Sequence, residues 1–364
     1  MSSTLSYSHR HQYLSNLLQE YSVPTLKNTF NVPCSADQIE HIAPVDEVRS
    51  VALDSLLARG WSRKGKEVDR DVLQQVDSLR LSQSDFRTIG LLGEGQYGVV
   101  DAVACRFNGR VYAMKTMSKA VATRAGPQLS LAIERHIHML GYHCKGSCPI
   151  TSLVASFQTE DTVSLVTTYA ACGTLWDRLC SLSTDGNTSG TMTENEIGWW
   201  ATQMVPAIEW LHVRGFVHRD IKPQNFLVHM NGRLLLSDFG SAALLEIPST
   251  GQSRPFVPRH LCALPIGTPD YVAPEVLLVA EELVVEAALD HASDVEAASH
   301  PHVVGYDKTV DWWSLGATLF EMSTGGAPFW AESIEQTYQL LIHYKGYLQV
   351  PATLTESLGH LLRG

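Results

Sequence analysis

The polar side chains of residues 217–228, VHRDIKPQNFLV, are the part of the chain best suited to chemistry. Polar groups beside apolar residues are costly to bury unless each meets a partner or a substrate. Asp220 could accept a proton from an attacking hydroxyl, Lys222 could neutralise charge on a phosphoryl group, and Asn225 could ligate a metal ion. Asp238 ends the next apolar run, where it could supply a second magnesium ligand. This combination of residue types favours phosphoryl transfer.

Residues that could hold phosphates precede this run. The stretch GEGQYGVV places Gly93, Gly95 and Gly98 between two strand-like runs, where backbone N–H groups could approach phosphate oxygens. A tight hairpin would need the same glycines, and the position between strands argues against a dinucleotide fold. Lys115 lies in the third predicted strand, where a lysine is normally solvated. A carboxylate on the next predicted helix, Glu134, could instead pair with it and hold it against nucleotide phosphates.

The elements that must position these residues change in type along the chain. Residues 1–83 contain short stretches with helical spacing and a proline-containing connector, which predicts a helical N-terminal extension. From Phe86 the pattern predicts three antiparallel strands, a helix and two more strands. Beyond Leu175 the spacing is mostly helical. The fold class is therefore predicted to be α+β, with a small antiparallel β-rich half followed by a larger helical half.

Composition narrows the class of protein. An apolar content of 45% and a charged content of 18% are typical of soluble globular proteins, and a net charge of −11 argues against nucleic-acid binding. We find no apolar run long enough for a transmembrane helix and no secretory signal, and the scattered cysteines fit reduced thiols, so a cytoplasmic location is expected. The run HIHMLGYHCKGSC leaves a zinc site as an alternative, although its spacing favours a helix end and a loop.

The motifs together resemble the protein kinase signature set. The glycine loop, VYAMK, HRDIKPQN, DFG, APE and DWWSLG occur in that family's order over about residues 84–364. GTPDYVAPE and DWWSLGATLFEM resemble the AGC group, and DFGS with APFWAESIEQTY is similar to the myotonic dystrophy and Rho-associated kinase branch. The resemblance implies a bilobal protein kinase fold, with an N-lobe and hinge at 84–170 and a C-lobe at 171–364.

The resemblance also implies an activity. It is that of a protein serine/threonine kinase that uses ATP and Mg²⁺ to phosphorylate protein substrates. The residues implied in this activity are Asp220, Lys222, Lys115 and Glu134 for catalysis; Gly93, Gly95, Gly98, Val100, Ala113, Lys115, Thr168, Ala170 and Leu227 for ATP; and Asn225 and Asp238 for the metal. It further implies that Thr167 is the gatekeeper, that Thr268 contacts Asp220 and Lys222, and that Asp311 braces the HRD backbone.

The activation segment departs from the family pattern. Leu264 occupies the place where AGC kinases usually carry a phosphorylatable residue, so Arg219 would lack its usual phosphate partner. We therefore expect activation without phosphorylation at this position, with Ser249, Thr250 or Ser253 as the alternative sites.

Three other departures concern the helices. His138 stands where the family has an apolar residue, which indicates either local variation or a helix that docks poorly without a partner. An acidic insertion at about 279–305 is interpreted as a solvated surface excursion, with partner docking as the alternative. The C-lobe is expected to be incomplete, because the chain stops early in the closing helical bundle. Glu275 would then lose its usual arginine, and the helical half would be less stable than in full-length relatives.

The sequence leaves two questions of function open. The alternative to an enzyme is a nucleotide-binding pseudokinase or scaffold that has lost catalysis. Glu321 matches a position where AGC kinases select basic substrate residues, but Gln224 and Thr174 stand where two others are commonly acidic. A preference for basic substrates is thus expected, but a weaker one than three acidic residues would give. The N-terminal helices could support a homodimer, as the resemblance suggests.

Overall fold

The structure is a computed structural model. It describes residues 81–95, 98–106, 108–126, 130–144, 147–183, 190–247, 254–292, 305–346, 348, 350–351 and 354–363. The predicted N-terminal helices and Ser249, Thr250 and Ser253 lie outside these residues. The described chain divides into two compact units. The first runs up to Val121 and also includes Ser152–Tyr169, and the second comprises Ala122–Thr151 and the chain from Ala170 onward.

The first unit is built on one antiparallel sheet in the order β1-β2-β3-β5-β4. Its strands are β1 (Phe86–Gly95), β2 (Gly98–Cys105), β3 (Val111–Ser118), β4 (Leu153–Gln158) and β5 (Thr162–Thr168). The three predicted strands, and the two that follow the predicted helix, are thereby confirmed.

Side chains alternate between the two faces of this sheet, as the two-residue period of a strand requires. One face carries an apolar core in which Phe86 stacks on Phe157 with ring centroids 6.0 Å apart. The buried residues of this core on β2, β3 and β5 are Val103, Cys105, Tyr112, Met114 and Val166. The intervening positions therefore point to the opposite face, and four of them are Val100, Ala113, Lys115 and Thr167.

The second unit is mainly helical, as predicted. A short helix, α1 (Lys119–Ala125), leads into it from β3. Its other helices are α2 (Leu131–Tyr142), α3 (Leu175–Ser181), α4 (Glu194–His212), α5 (Pro274–Ala292), α6 (Thr309–Thr324), α7 (Ile334–Ile342) and α8 (Glu356–Arg363). Two short antiparallel pairs join β6 (Phe216–Val217) to β9 (Ala243–Leu244) and β7 (Phe226–Val228) to β8 (Leu234–Leu236). Single 3-10 turns lie at Pro223–Asn225, Phe239–Ser241 and Arg259–Leu261.

Helix α4 is central to the core of this unit. It begins at a capping box in which Thr193 Oγ1 accepts from the Glu196 amide and the Glu196 carboxylate accepts from the Thr193 amide. Met204, Ala207, Ile208 and Leu211 follow at helical spacing and are fully buried. They share a core with residues of α6 and with Phe226 of β7. Ile221 and Phe226 belong to the same core, so this packing holds residues 217–228 against α4.

Helix α5 continues into the predicted acidic insertion, as far as Ala292. Ala280 and Leu283 are buried, and Leu283 belongs to a second core with Val257 and Leu261. One face of the first part of the insertion therefore packs on the protein, while Val284 and Val285 on its other side are exposed. Among the helices of the described ranges, none combines the length and the apolar character needed to cross a bilayer.

Candidate active site

Asp220, Lys222 and Thr268 form a closed triangle of polar contacts in the second unit. Thr268 Oγ1 donates to Asp220 Oδ1 at 2.7 Å, and Lys222 Nζ donates to Thr268 Oγ1 at 2.7 Å. Lys222 Nζ also lies 2.8 Å from Asp220 Oδ2. The side chains of Asp220 and Lys222 are only 11% and 20% exposed, so their attraction is screened less than that of a surface pair. The geometry presents a carboxylate and an ammonium group side by side.

The two predicted metal ligands lie next to this triangle. Asn225 is buried, and its Nδ2 donates to the Asp220 carbonyl oxygen at 2.7 Å, which leaves its amide oxygen as an acceptor. The backbone N–H and the hydroxyl of Ser237 both donate to the Asn225 carbonyl oxygen, at 2.9 and 3.0 Å. Asp238 follows Ser237 directly and adopts the left-handed conformation with φ 59°. A carboxylate and an amide oxygen suit Mg²⁺, so these residues fit the predicted ion.

Asp311 holds the backbone that leads into Asp220. Its carboxylate accepts hydrogen bonds from the backbone N–H groups of His218 and Arg219, both at 2.8 Å. His212 Nε2 lies 2.7 Å from the same carboxylate, and both side chains are almost fully buried. Arg219 has φ 69°, a strained conformation for a residue with a side chain. Three N–H groups bound to one buried carboxylate keep this strained turn in place.

His138 of α2 is buried but hydrogen-bonded. Its Nδ1 lies 3.0 Å from the Thr151 carbonyl oxygen and 3.2 Å from Thr151 Oγ1. Its ring contacts Phe239 with centroids 5.1 Å apart, and Phe239 in turn contacts His218 at 5.4 Å. A satisfied histidine in this stack supports the interpretation as local variation. Among the described residues, no group of three or more His, Cys, Asp or Glu side chains could hold a metal, so the alternative zinc site finds no support.

Arg219 binds neutral groups of the activation segment and the chain that follows it. Its Nε donates to the Ser241 carbonyl oxygen at 2.6 Å, and its Nη1 donates to the Leu261 carbonyl oxygen at 3.0 Å and to the Tyr306 hydroxyl at 3.4 Å. Leu264, at the position of the expected phosphorylation site, is 60% exposed. The guanidinium is thus held at the activation segment by carbonyl oxygens and a hydroxyl.

The predicted phosphate-binding residues lie in the first unit. Gly93 pairs with Val100, and Val100 pairs with Lys115, so the three stand in line across β1, β2 and β3. Gly95 pairs with Gly98 at the ends of β1 and β2. A Cβ at Gly98 would lie 2.3 Å from the Thr116 carbonyl oxygen, which explains the glycine there.

The predicted adenine-binding residues are divided between the units. Val100 and Ala113 share a face of the sheet in the first unit, where the Thr168 amide donates to the Ser152 carbonyl oxygen at 3.1 Å. Ala170 is buried in the second unit, and Leu227 lies there on β7. The segment after Ala170 is tied to β7 because the Val228 amide donates to the Gly173 carbonyl oxygen at 2.8 Å.

Glu134, the predicted partner of Lys115, belongs to the second unit, where it is buried near the start of α2. The pairing of the two residues remains a prediction.

The predicted substrate-selecting residues differ in their surroundings. The Tyr271 hydroxyl donates to Glu321 Oε2 at 2.5 Å. Burial raises the pKa of the Glu321 carboxyl, although the bond from Tyr271 lowers it and Asp270 raises it further. Burial also raises the pKa of Asp270. Thr174 instead forms the capping box of α3, because its Oγ1 accepts from the Asp177 amide at 3.0 Å. Glu321 is therefore buried and Asp270 half-buried, and Thr174 makes no contribution to this acidic pair.

Three residues that contribute to the site were not predicted from the sequence. Ser237 binds Asn225, Tyr306 binds Arg219, and His212 binds Asp311. His212 left a signal, because a histidine at a core position of a predicted helix needs a buried partner. Ser237 and Tyr306 left none, since each acts through a contact that only the fold creates.

The part of the chain that contains these residues is similar to known proteins. The protein kinase domain family matches residues 86–360. Serine/threonine-protein kinase MRCK gamma of Mus musculus is 32% identical over 282 residues, which cover 78% of this chain and 16% of that protein. MRCK beta of Homo sapiens is 31% identical over 284 residues, with 78% and 14% covered, and MRCK alpha of Mus musculus is 31% identical over 282 residues, also with 78% and 14% covered. The chain thus spans about one sixth of these relatives or less.

Proposed function

Because the chain belongs to the protein kinase family, we propose that it transfers the γ-phosphate of ATP to serine and threonine hydroxyls of protein substrates. The MRCK relatives confirm the resemblance to AGC serine/threonine kinases of the myotonic dystrophy and Rho-associated branch. The observation that carries the proposal is the triangle of Asp220, Lys222 and Thr268. It joins a proton acceptor, a cation and a hydroxyl that orients both, as phosphoryl transfer to an alcohol requires.

In the proposed reaction each residue of the triangle has one task. Asp220 accepts the proton of the attacking substrate hydroxyl and orients its oxygen toward the phosphorus. Lys222 neutralises charge that develops on the transferred phosphoryl group. Thr268 fixes the rotamer of Asp220 by donating to Oδ1, which leaves Oδ2 beside Lys222.

Asn225 and Asp238 are proposed to hold Mg²⁺. When bound, the ion supplies positive charge to the phosphate oxygens of the nucleotide. Asn225 also keeps Asp220 in position, because its Nδ2 binds the Asp220 carbonyl oxygen. The strained backbone at Asp238 directs a carboxylate that an ordinary extended residue would place elsewhere.

The first unit is proposed to contribute the nucleotide contacts. Lys115 would bind the α- and β-phosphates with the help of Glu134, and the glycines of β1 and β2 would cover them. The adenine ring would contact Val100, Ala113 and Leu227, with its edge on the backbone of Thr168 and Ala170. Under this proposal residues 84–170 form the N-lobe and hinge, and residues 171–364 belong to the C-lobe. The alignment of Val100 and Lys115 on one face of the sheet supports this assignment.

The alternative of a scaffold without catalysis is less well supported. It would be favoured by a lost or misdirected catalytic group, whereas Asp220, Lys222 and Asn225 make specific mutual contacts. Protein substrates follow from the family, and a basic preference is proposed from Asp270 and Glu321. A cytoplasmic location and a homodimer through the N-terminal helices stay predictions.

The test is transfer of radiolabelled phosphate from Mg·ATP to a panel of serine and threonine peptides, with Asp220→Ala as the control. Removing the proton acceptor should lower the rate by at least about a hundredfold. Transfer that disappears in the Asp220→Ala protein, and that requires Mg²⁺, establishes the enzyme. Equal rates in the wild type and the variant would overturn the proposal in favour of the scaffold.

A further inference from the structure

The outer part of α5, residues 279–292, packs against residues 254–262 of the activation segment. Leu283 shares a buried core with Val257 and Leu261. One turn further on, Glu286 forms an ion pair with Arg259, which lies in the 3-10 turn that ends at Leu261. Leu283 and Glu286 are three residues apart and therefore lie on the same face of the helix. This face therefore shares an apolar core with the turn and makes a charged contact with it.

That turn is connected by hydrogen bonds to the loop that carries Asp220. The Leu261 carbonyl oxygen accepts from Arg219 Nη1 at 3.0 Å. The Arg219 amide donates to Asp311 Oδ1 at 2.8 Å, and its strained φ of 69° sets the direction of the next residue, Asp220. Tyr306 connects the activation segment to Arg219. Its carbonyl oxygen accepts from the Val257 amide at 2.8 Å, and its hydroxyl contacts Arg219. A displacement of the turn would therefore be transmitted to the side chain of Arg219, the residue that directly precedes Asp220.

We propose that Leu283 and Glu286 are positioning residues for phosphoryl transfer, because they hold the Arg259–Leu261 turn against Arg219. The proposal rests on the proposed kinase function and adds a means by which this chain orders its own activation segment. The physical reason is that a single 3-10 turn has few internal hydrogen bonds and loses order readily. An adjacent helix that supplies a buried leucine and a carboxylate reduces the number of conformations open to the turn.

The size of the effect follows from burial. The side chains of Arg259 and Glu286 are 38% and 19% exposed, so solvent screens their attraction in part and Glu286→Gln should lower kcat about threefold. Leu283 is 7% exposed, and Leu283→Ala should lower kcat about tenfold, because it opens a cavity beside the turn. The KM for ATP should stay within about twofold in both variants, since the change concerns the orientation of Asp220.

The experiment measures kcat and KM for peptide phosphorylation by the full chain, together with hydrogen–deuterium exchange of residues 254–262. Glu282→Gln is the matched control, because Glu282 lies on the same helix but is exposed. Exchange in 254–262 should be faster in Glu286→Gln and Leu283→Ala, and in Glu282→Gln it should equal the wild type. Each single charge reversal, Glu286→Arg or Arg259→Glu, should lower kcat. The charge exchange, the double variant that carries both, should recover at least about half of the loss.

The outcomes separate the two proposals. A wild type that transfers no phosphate overturns the proposed function, whereas the exchange measurement still decides the role of α5. Unchanged exchange of residues 254–262 in Glu286→Gln overturns the positioning role, and so does a charge exchange that recovers no activity. Loss of kcat with faster exchange confined to 254–262, and recovery in the charge exchange, supports it. A general loss of stability cannot mimic this pattern, because it would accelerate exchange throughout the second unit.

Discussion

Thr268 Oγ1 donates a hydrogen bond to Asp220 Oδ1 at 2.7 Å across 48 residues of sequence. The same hydroxyl oxygen accepts from Lys222 Nζ at 2.7 Å, so one side chain orients both the proton acceptor and the cation. A hydroxyl can do this because it donates and accepts at once. The position of Asp220 therefore depends on the segment after Gly267, where a Cβ would lie 2.6 Å from the Arg219 carbonyl oxygen.

Replacement of Thr268 by valine tests this relationship, since valine keeps the shape and removes the hydroxyl. We expect kcat to fall about 10- to 100-fold, because Asp220 and Lys222 lose their common partner. The KM for ATP should change little. Steady-state phosphorylation of a peptide measures both constants. Thr268→Ser restores the hydroxyl and should recover most of the lost rate; a valine protein as fast as the serine protein would contradict the assignment.

The second prediction concerns the contribution of Asp311 to stability. Its buried carboxylate accepts from His212, His218 and Arg219, so Asp311→Asn would set an amide against one of these N–H groups. Breaking a buried pair in this way should lower the free energy of unfolding by about 3 kcal/mol. Urea unfolding followed by circular dichroism measures the loss. The control Glu332→Gln removes an exposed carboxylate and should leave the free energy of unfolding within about 0.5 kcal/mol of the wild-type value. Equal midpoints for both variants would argue against Asp311 as the anchor.

The parts of the fold that could be predicted depend on local sequence. The strands of the first unit follow from alternating apolar residues such as Val103, Tyr112 and Met114, and α4 follows from apolar residues at helical spacing. The contact of Lys222 with Asp220 is equally local, because only Ile221 separates them in the chain. Its partner Thr268 came from the resemblance, since no pattern within 217–228 points to it.

The parts that could not be predicted depend on contacts between distant segments. His212 and Asp311 are 99 residues apart, and Arg219 and Tyr306 are 87 apart. The acidic pattern of the insertion predicts a solvated helix, and it contains no signal that Leu283 would find the apolar side chains of Val257 and Leu261. Such contacts appear only when the fold brings the segments together.

The third prediction concerns how the stability of the protein depends on pH through Glu275. Burial raises the pKa of its carboxyl above the ordinary 4.5, and the neighbouring Asp307 raises it further, although the backbone bond at Glu275 lowers it. Between 4.5 and the raised pKa, the folded state binds more protons than the unfolded state, so this group makes the protein less stable as pH rises. Glu275→Gln has no such dependence. We expect the variant to be more stable than the wild type at neutral pH, with a difference that shrinks as the pH falls toward 4.5.

Thermal or urea unfolding of both proteins between pH 4.5 and 8 would measure this difference. Glu281→Gln on the same helix is exposed and should follow the wild type throughout. A difference between Glu275→Gln and the wild type that is constant with pH, or that grows on acidification, would show that Glu275 does not carry the effect.

Gln224 makes the last prediction, which concerns substrate choice. Its side chain reaches the Tyr271 hydroxyl, and its Oε1 is buried with no hydrogen-bond partner among the described residues. Asp270 and Glu321 lie near the same hydroxyl, so a carboxylate at position 224 would add a third negative charge to this pair. We expect Gln224→Glu to raise kcat/KM about tenfold for peptides with an arginine before the target residue, and to leave the matching alanine peptides unchanged. The gain should shrink at high salt.

The comparison uses paired peptides that differ only in arginine or alanine, phosphorylated at 0.05 and 0.5 M salt. Gln336→Glu adds the same charge at an exposed position of α7 and separates a local contact from the net charge of the protein. A selective gain in Gln224→Glu places the basic side chain of the substrate beside position 224. An equal gain in both variants would assign the preference to long-range attraction, and no gain in either would show that arginine is recognised elsewhere.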